Sequence, residues 1–226
     1  PDYVLVATEA RKAFITELRA AMTRRAPSYK GDAYTHMIGR HAFERMTALV
    51  ADAREKGGEI IEINPGHEPC PPEGGAFPAT IIAGATADMR VMQEEIFGPL
   101  LPIVAYERLE DAIAFINARE RPLALYYFDD DAHRVRRVLS ATTSGGVTVN
   151  DCAYHLIQNR LPFGGIGPSG MGAYHGFDGF ETFSHKKGVY LQNRLIGDVL
   201  GALVAPPYSH MTDKLISFLL RRRPRD

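Results

Sequence analysis

The stretch Glu94-Glu95-Ile96-Phe97-Gly98-Pro99-Leu100-Leu101-Pro102-Ile103-Val104-Ala105 places a forced corner directly ahead of an apolar run. Leu101 to Ala105 shows no polar–apolar alternation, the pattern of a strand in a parallel sheet covered by helices on both faces. In the corner, Glu95 and Phe97 are two residues apart, so an extended backbone turns both to one face. Gly98 permits a backbone shape closed to other residues, and Pro99 keeps its predecessor out of a helix, so the pair fixes where those side chains project.

Outward from the corner, strands and helices alternate. Tyr3 to Ala7 reads as a buried strand with Thr8 placed to cap the helix that follows, whose core face carries Phe14, Leu18, Ala21 and Met22. A second helix runs from His41 to about Lys56 on Phe43, Met46, Val50 and Ala53, ended by Gly57-Gly58. Strands follow at Glu59–Ile63 and Ala79–Ile82, separated by a Pro-, Gly- and Glu-rich surface loop. Beyond the corner come a helix over Leu109–Ala118, a strand over Leu123–Phe128, a helix from about Asp130 to Ser140 and a strand over Val147–Asn150. This order specifies an α/β domain with a mainly parallel sheet flanked by helices.

The remaining segments are a terminal strand over Lys187–Leu191 and a tail. In the tail, Leu195–Ala205 is apolar but interrupted, and Met211, Leu215, Phe218 and Leu219 recur at helical spacing ahead of Arg221-Arg222-Arg223, whose charges complement a helix C-terminus. Such a helix either packs on a neighbouring lobe or over a site entrance, or lies in a membrane surface with its basic end at the headgroups.

The 226 residues, 45% hydrophobic and 23% charged, suffice for one domain with a sizeable core. A net charge of -1 offers no basic face for nucleic acid. Two cysteines without paired spacing suggest neither a disulfide framework nor a metal site, which fits a reducing, cytoplasmic setting. Cys70, between Pro69 and Pro71, has no basic neighbour to stabilise a thiolate. Cys152 reads as a buried or semi-buried thiol; a thiol hydrolase built on it with His155 or His175 lacks an orienting acid.

Alone, the corner is either a strand end with one solvated acid and one core ring, or a carboxylate and a ring facing a flat, sugar-bearing cofactor. A second segment decides between them: Leu161-Pro162-Phe163-Gly164-Gly165-Ile166-Gly167-Pro168-Ser169-Gly170-Met171-Gly172-Ala173-Tyr174-His175-Gly176. Its glycines lack the strand-to-helix context of a phosphate loop, so they mark close approach of backbone to backbone or ligand. Taken in order, EEIFGP, SGGVTVND, LPFGG and SGMGAYHG resemble the aldehyde dehydrogenase superfamily in its class-3-like branch, from Pro1 to about Gln192.

The resemblance implies a catalytic domain over residues 1–184, an oligomerisation strand over 185–192 and a C-terminal extension with a terminal helix over 193–226. It implies NAD or NADP as cofactor and a hydrophobic or aromatic aldehyde, of the coniferyl aldehyde kind, oxidised to its acid through a cysteine thiohemiacetal and thioester. In that branch a Pro-Asp-Tyr-Val-Leu run follows the nucleophilic cysteine by two residues, and Pro1–Leu5 is such a run. No catalytic residue is therefore assigned within the chain: the nucleophile, the water-activating glutamate and the cofactor lobe are expected upstream of Pro1, leaving this chain inactive alone, a lobe working only in assembly.

By motif position, Glu95 would hold the nicotinamide ribose and Phe97 would pack on the nicotinamide side. Leu123 would lie near the same ring or serve as simple core. Leu156, Ile157, Phe163 and His175 would line the aldehyde tunnel, with His175 equally readable as a structural histidine and His155 read as one. Strand 187–191 would extend a second subunit's sheet, giving a homodimer, or close its own.

Overall fold

The computed structural model describes residues 1–30, 33–70, 75–193, 196–197, 201 and 205–220. A four-stranded sheet forms the centre, in the order β1-β4-β3-β2. Its strands are β1 (Val4–Ala7), β2 (Glu59–Ile63), β3 (Ala79–Ala83) and β4 (Leu100–Tyr106). β4 runs parallel to both neighbours, pairing Val4 with Ile103 and Thr80 with Leu100, while β2 returns antiparallel to β3. The mainly parallel α/β architecture expected from the apolar runs is thus the one observed.

Helices α1 (Arg11–Arg25) and α2 (Gly39–Glu55) cover opposite faces. Along β3 the period of two decides which helix each side chain meets. Ile81 joins Phe14, Ile15, Leu18 and Met22 of α1, and Ile82 joins Phe43, Met46, Leu49 and Ala53 of α2. Fully burying one such aliphatic side chain is worth about 1.5–3 kcal/mol, so the two-sided β3 is the fold's best-anchored strand. On α2, Leu49 is buried where Val50 was expected; Val50 packs at the edge of the same cluster.

A second, two-stranded parallel sheet joins β5 (Ala124–Tyr127) and β6 (Gly146–Val149), with Ala124 opposite Gly146. Helices α3 (Leu109–Asn117) and α4 (Ala132–Ala141) follow β4 and β5 in sequence. The Asp131 carboxylate caps α4, accepting from the N–H groups of His133 (2.7 Å) and Arg134 (3.1 Å). The short α5 (Gly176–Thr182) closes the glycine-rich segment, and α6 (His210–Leu219) forms the expected tail helix, capped by Ser209.

Three local expectations are corrected. Thr8 does not cap α1; its hydroxyl lies 3.1 Å from the carbonyl of Tyr106 and 2.9 Å from Glu107 Oε1, tying the end of β1 to the end of β4. Lys187–Leu191 forms no strand, and Val189, Tyr190 and Leu191 stand exposed. A single strand has no sheet hydrogen bonds of its own, so without a second edge it stays irregular. Cys152 is exposed rather than buried, because it sits in a turn beyond β6. Most of Leu195–Ala205 and all of Arg221–Arg223 lie outside the described residues.

Candidate functional site

The corner Glu95–Pro99 leads into the amino end of β4, beside the residues that open the chain. The Asp2 carboxylate accepts the Ile96 N–H at 3.2 Å, and Pro99 O accepts the Thr80 N–H at 2.9 Å. Arg45 of α2 donates to the carbonyls of Glu95 (3.0 Å) and Ile96, and Ile96 is 1% exposed. The corner is therefore anchored through one buried side chain and its own backbone, leaving Glu95 and Phe97 free to face outward. Phe97 is 78% exposed, and among the described residues no hydrogen bond or ion pair engages the Glu95 carboxylate. Its neighbour Glu94 is instead paired with Arg90 at 2.9 Å and Arg45 at 3.9 Å.

The backbone strain is not where the glycine suggested. Phe97, not Gly98, takes the left-handed conformation, at φ 45°, so the segment is not extended through Phe97. Gly98 is required for a different reason: a Cβ there would overlap the sulfur of Met46, which α2 buries completely.

The second cluster gathers on β6 and the glycine-rich segment. Phe163 and Tyr174 exchange backbone hydrogen bonds at 2.9 Å each way, and the rings of Phe163 and His175 stack at 6.0 Å. Side chains at Gly145 and Gly164 would overlap the carbonyl oxygens of Gly164 and Gly172, so these glycines do mark backbone packed on backbone. Leu123 belongs here: its carbonyl accepts the Gly146 N–H at 2.9 Å. His155, 6% exposed, lies against Phe163 with its ring bound to Thr148.

Both clusters stand at the amino ends of parallel strands. At the carboxyl end of β4, burial, with Glu9 and Asp129 nearby, raises the Tyr106 phenol. Open parallel sheets usually present ligands at the carboxyl edge, so this placement is a departure. A largely apolar cavity of about 630 Å³ opens on the same amino edge, lined by Pro1, Met22, His36, Thr80, Phe97 and Leu101 among others. Two of its polar groups are committed: the Thr80 hydroxyl donates to Pro78 O, and Tyr34, pushed up to about 12 by burial, donates to Phe77 O.

The family model described as "Aldehyde dehydrogenase family" matches residues 2–189. The chain belongs to the aldehyde dehydrogenase family. It is 47% identical to a probable coniferyl aldehyde dehydrogenase of Caulobacter vibrioides, covering 98% of this chain and 46% of that protein. To aldehyde dehydrogenase family 3 member A2 of Rattus norvegicus it is 36% identical, over 99% and 44%. Among solved structures, substrate-bound AldH of Staphylococcus aureus superposes with a TM-score of 0.71 at 33% identity, covering 97% of this chain and 46% of that one. Lactaldehyde dehydrogenase of Escherichia coli gives 0.73 at 26%, over 85% and 40%. The chain spans about half the length of the curated relatives it matches.

Within this aldehyde dehydrogenase chain, Glu95 and Phe97 share one corner, and Leu123, Phe163 and His175 share the other cluster. Leu156 and Ile157 are exposed and follow the buried His155 directly in sequence, with the Leu156 N–H donating to Ala153 O at 2.9 Å. Sequence reasoning did not assign the groups that hold the corner, Asp2 and Arg45. It also missed Arg119, which donates to Met92 O at 2.7 Å and lies over the Phe115 ring at 4.5 Å. Only their contacts across the fold reveal them; of the three, Asp2 alone fell inside a recognised motif.

Proposed function

We propose that this chain is the C-terminal part of the catalytic domain of an NAD(P)-dependent aldehyde dehydrogenase that converts a hydrophobic or aromatic aldehyde, of the coniferyl aldehyde kind, to its carboxylic acid. The observation that carries the reading is the Asp2–Ile96 hydrogen bond, which sets Glu95 and Phe97 beside Pro1. Residues ahead of Pro1 would supply the cysteine nucleophile and the glutamate that activates water, with the substrate held as a thiohemiacetal and then a thioester.

The corner fits a dinucleotide: one unengaged carboxylate and one exposed ring project from a backbone tied on three sides. Bound there, the nicotinamide would supply the hydride acceptor. Glu95 would accept hydrogen bonds from the ribose hydroxyls and Phe97 would limit the tilt of the adjoining ring, so that the chain contributes position rather than bond-making groups. Leu123 would border the same ring. Leu156, Ile157, Phe163 and His175 would form an apolar and aromatic wall suited to a large aldehyde.

The exposed Val189, Tyr190 and Leu191 support pairing of segment 187–191 with a second subunit's sheet in a homodimer, for which a cytoplasmic setting is part of the proposal. The tail helix α6, with Met211 and Phe218 exposed, would cover the partner lobe or the substrate entrance; sedimentation with liposomes tests the competing membrane-surface role. The functional test uses the complete enzyme, this chain preceded by its cofactor lobe, supplied with coniferyl aldehyde and NAD or NADP. Reduced cofactor and acid should form in equal amounts, and the chain alone should form neither. Absence of acid with both cofactors would overturn the reading.

A further inference from the structure

His155 has no role in the function just proposed, yet it is a costly residue to keep. Its ring lies between Tyr126 and Phe163, with centroids at 6.1 and 6.0 Å, and a side chain at Gly146 would overlap its Cδ2. Thr148 Oγ1 already accepts the His155 backbone N–H at 3.1 Å, so its single proton is free to go to Nδ1, 2.8 Å away. This direction leaves the neutral ring's proton on Nε2, which is buried without a hydrogen-bond partner among the described residues. An apolar side chain of similar volume would fill the space without burying an unpaired donor. What the imidazole adds is an orientation: the Thr148 bond fixes its plane to β6.

From that fixed plane two neighbours take their places. Phe163 rests on the ring and carries the His175 stack on its other contacts, and Leu156-Ile157 continue directly from the His155 backbone. We infer that His155, oriented by Thr148, is a positioning residue that sets the aldehyde wall and thereby favours large aromatic aldehydes over short ones. The inference rests on the proposed function, which assigns that wall. A short aldehyde makes fewer contacts with such a wall and so is less sensitive to its displacement.

The test compares kcat/KM for coniferyl aldehyde and for propanal in the complete enzyme, alongside the melting temperature. In Thr148→Val/His155→Leu both side chains become apolar but the backbone N–H of residue 155 loses its Thr148 acceptor, so the melting temperature falls by no more than it does in Thr148→Val alone. The coniferyl-to-propanal ratio of kcat/KM falls about tenfold, chiefly through KM for the large aldehyde. Thr148→Ser keeps the hydroxyl and retains the ratio within about twofold, whereas Thr148→Val lowers it. An unchanged ratio in the double variant, or equal losses in Thr148→Ser and Thr148→Val, overturns the inference. Should the double variant fail to fold, the Ser and Val variants decide it alone. A parent enzyme that oxidises neither aldehyde fails in a different way, removing the proposed function first and the wall with it.

Discussion

Asp2 and Ile96, 94 residues apart in sequence, are joined by a hydrogen bond of 3.2 Å from the Ile96 N–H to the Asp2 carboxylate. Without it a backbone N–H beside a buried side chain loses its partner. Asp2→Ala should therefore lower stability by about 1–2 kcal/mol, a hydrogen bond to a charged group discounted for the exposure of Asp2. Urea unfolding of parent and variant measures it; coincident midpoints would show that the bond anchors nothing.

Gly98→Ala should cost about 1–3 kcal/mol, the range for overpacking a filled core, because the new methyl group meets the sulfur of fully buried Met46. Met46 is flexible but fully buried in the core cluster with Phe43, Leu49 and Ile96, so shifting its sulfur disturbs packed neighbours. Thermal unfolding should show the loss, and a fall in midpoint of under a degree would mean that α2 yields readily.

The cysteines should differ in alkylation. Burial first, then the nearby Glu62 and Glu68 carboxylates, raise the Cys70 thiol above its ordinary value, so little thiolate forms near pH 8. Cys152 is exposed. With limiting iodoacetamide, peptide mapping should find the label on Cys152 first.

Asp129 supplies a pH-dependent test. The Arg134 guanidinium, the Asp131 N–H and the Tyr127 hydroxyl hold its carboxyl well below the usual carboxylate range. A folded value depressed below the unfolded one stabilises the fold above the ordinary carboxylate pKa, and the gain is lost as pH falls towards the folded value. Asp129→Asn should thus lower the urea midpoint at pH 7, and the gap should narrow at pH 3. An equal gap at both pH values would mean that shape, not charge, holds this turn.

The parallel sheet was legible because β3 and β4 are continuous apolar runs, and a buried strand leaves few other ways to read Ala-Thr-Ile-Ile-Ala. Helix spacing on Phe43, Met46 and Ala53 located α2 for the same reason. What failed depended on partners distant in sequence or absent. Lys187–Leu191 has the composition of a strand but pairs with no strand of its own chain among the described residues, as a segment expected to pair with a second subunit would, and Thr8 finds Tyr106 and Glu107 across the sheet before it can cap a helix. At the corner, the motif was readable, while its anchoring by Asp2 and Arg45, and the left-handed backbone of Phe97, follow only from packing. His155 reads in the sequence as an ordinary core histidine; that its Nε2 has no hydrogen-bond partner among the described residues follows only from the fold.

The most direct test is a single-turnover measurement of reduced-cofactor formation in the complete enzyme carrying Glu95→Gln. Losing the carboxylate should loosen the ribose and slow hydride transfer by about tenfold to a hundredfold while aldehyde capture proceeds at the parent rate. A burst of reduced cofactor as fast as the parent's would contradict the claim that this corner holds the nicotinamide.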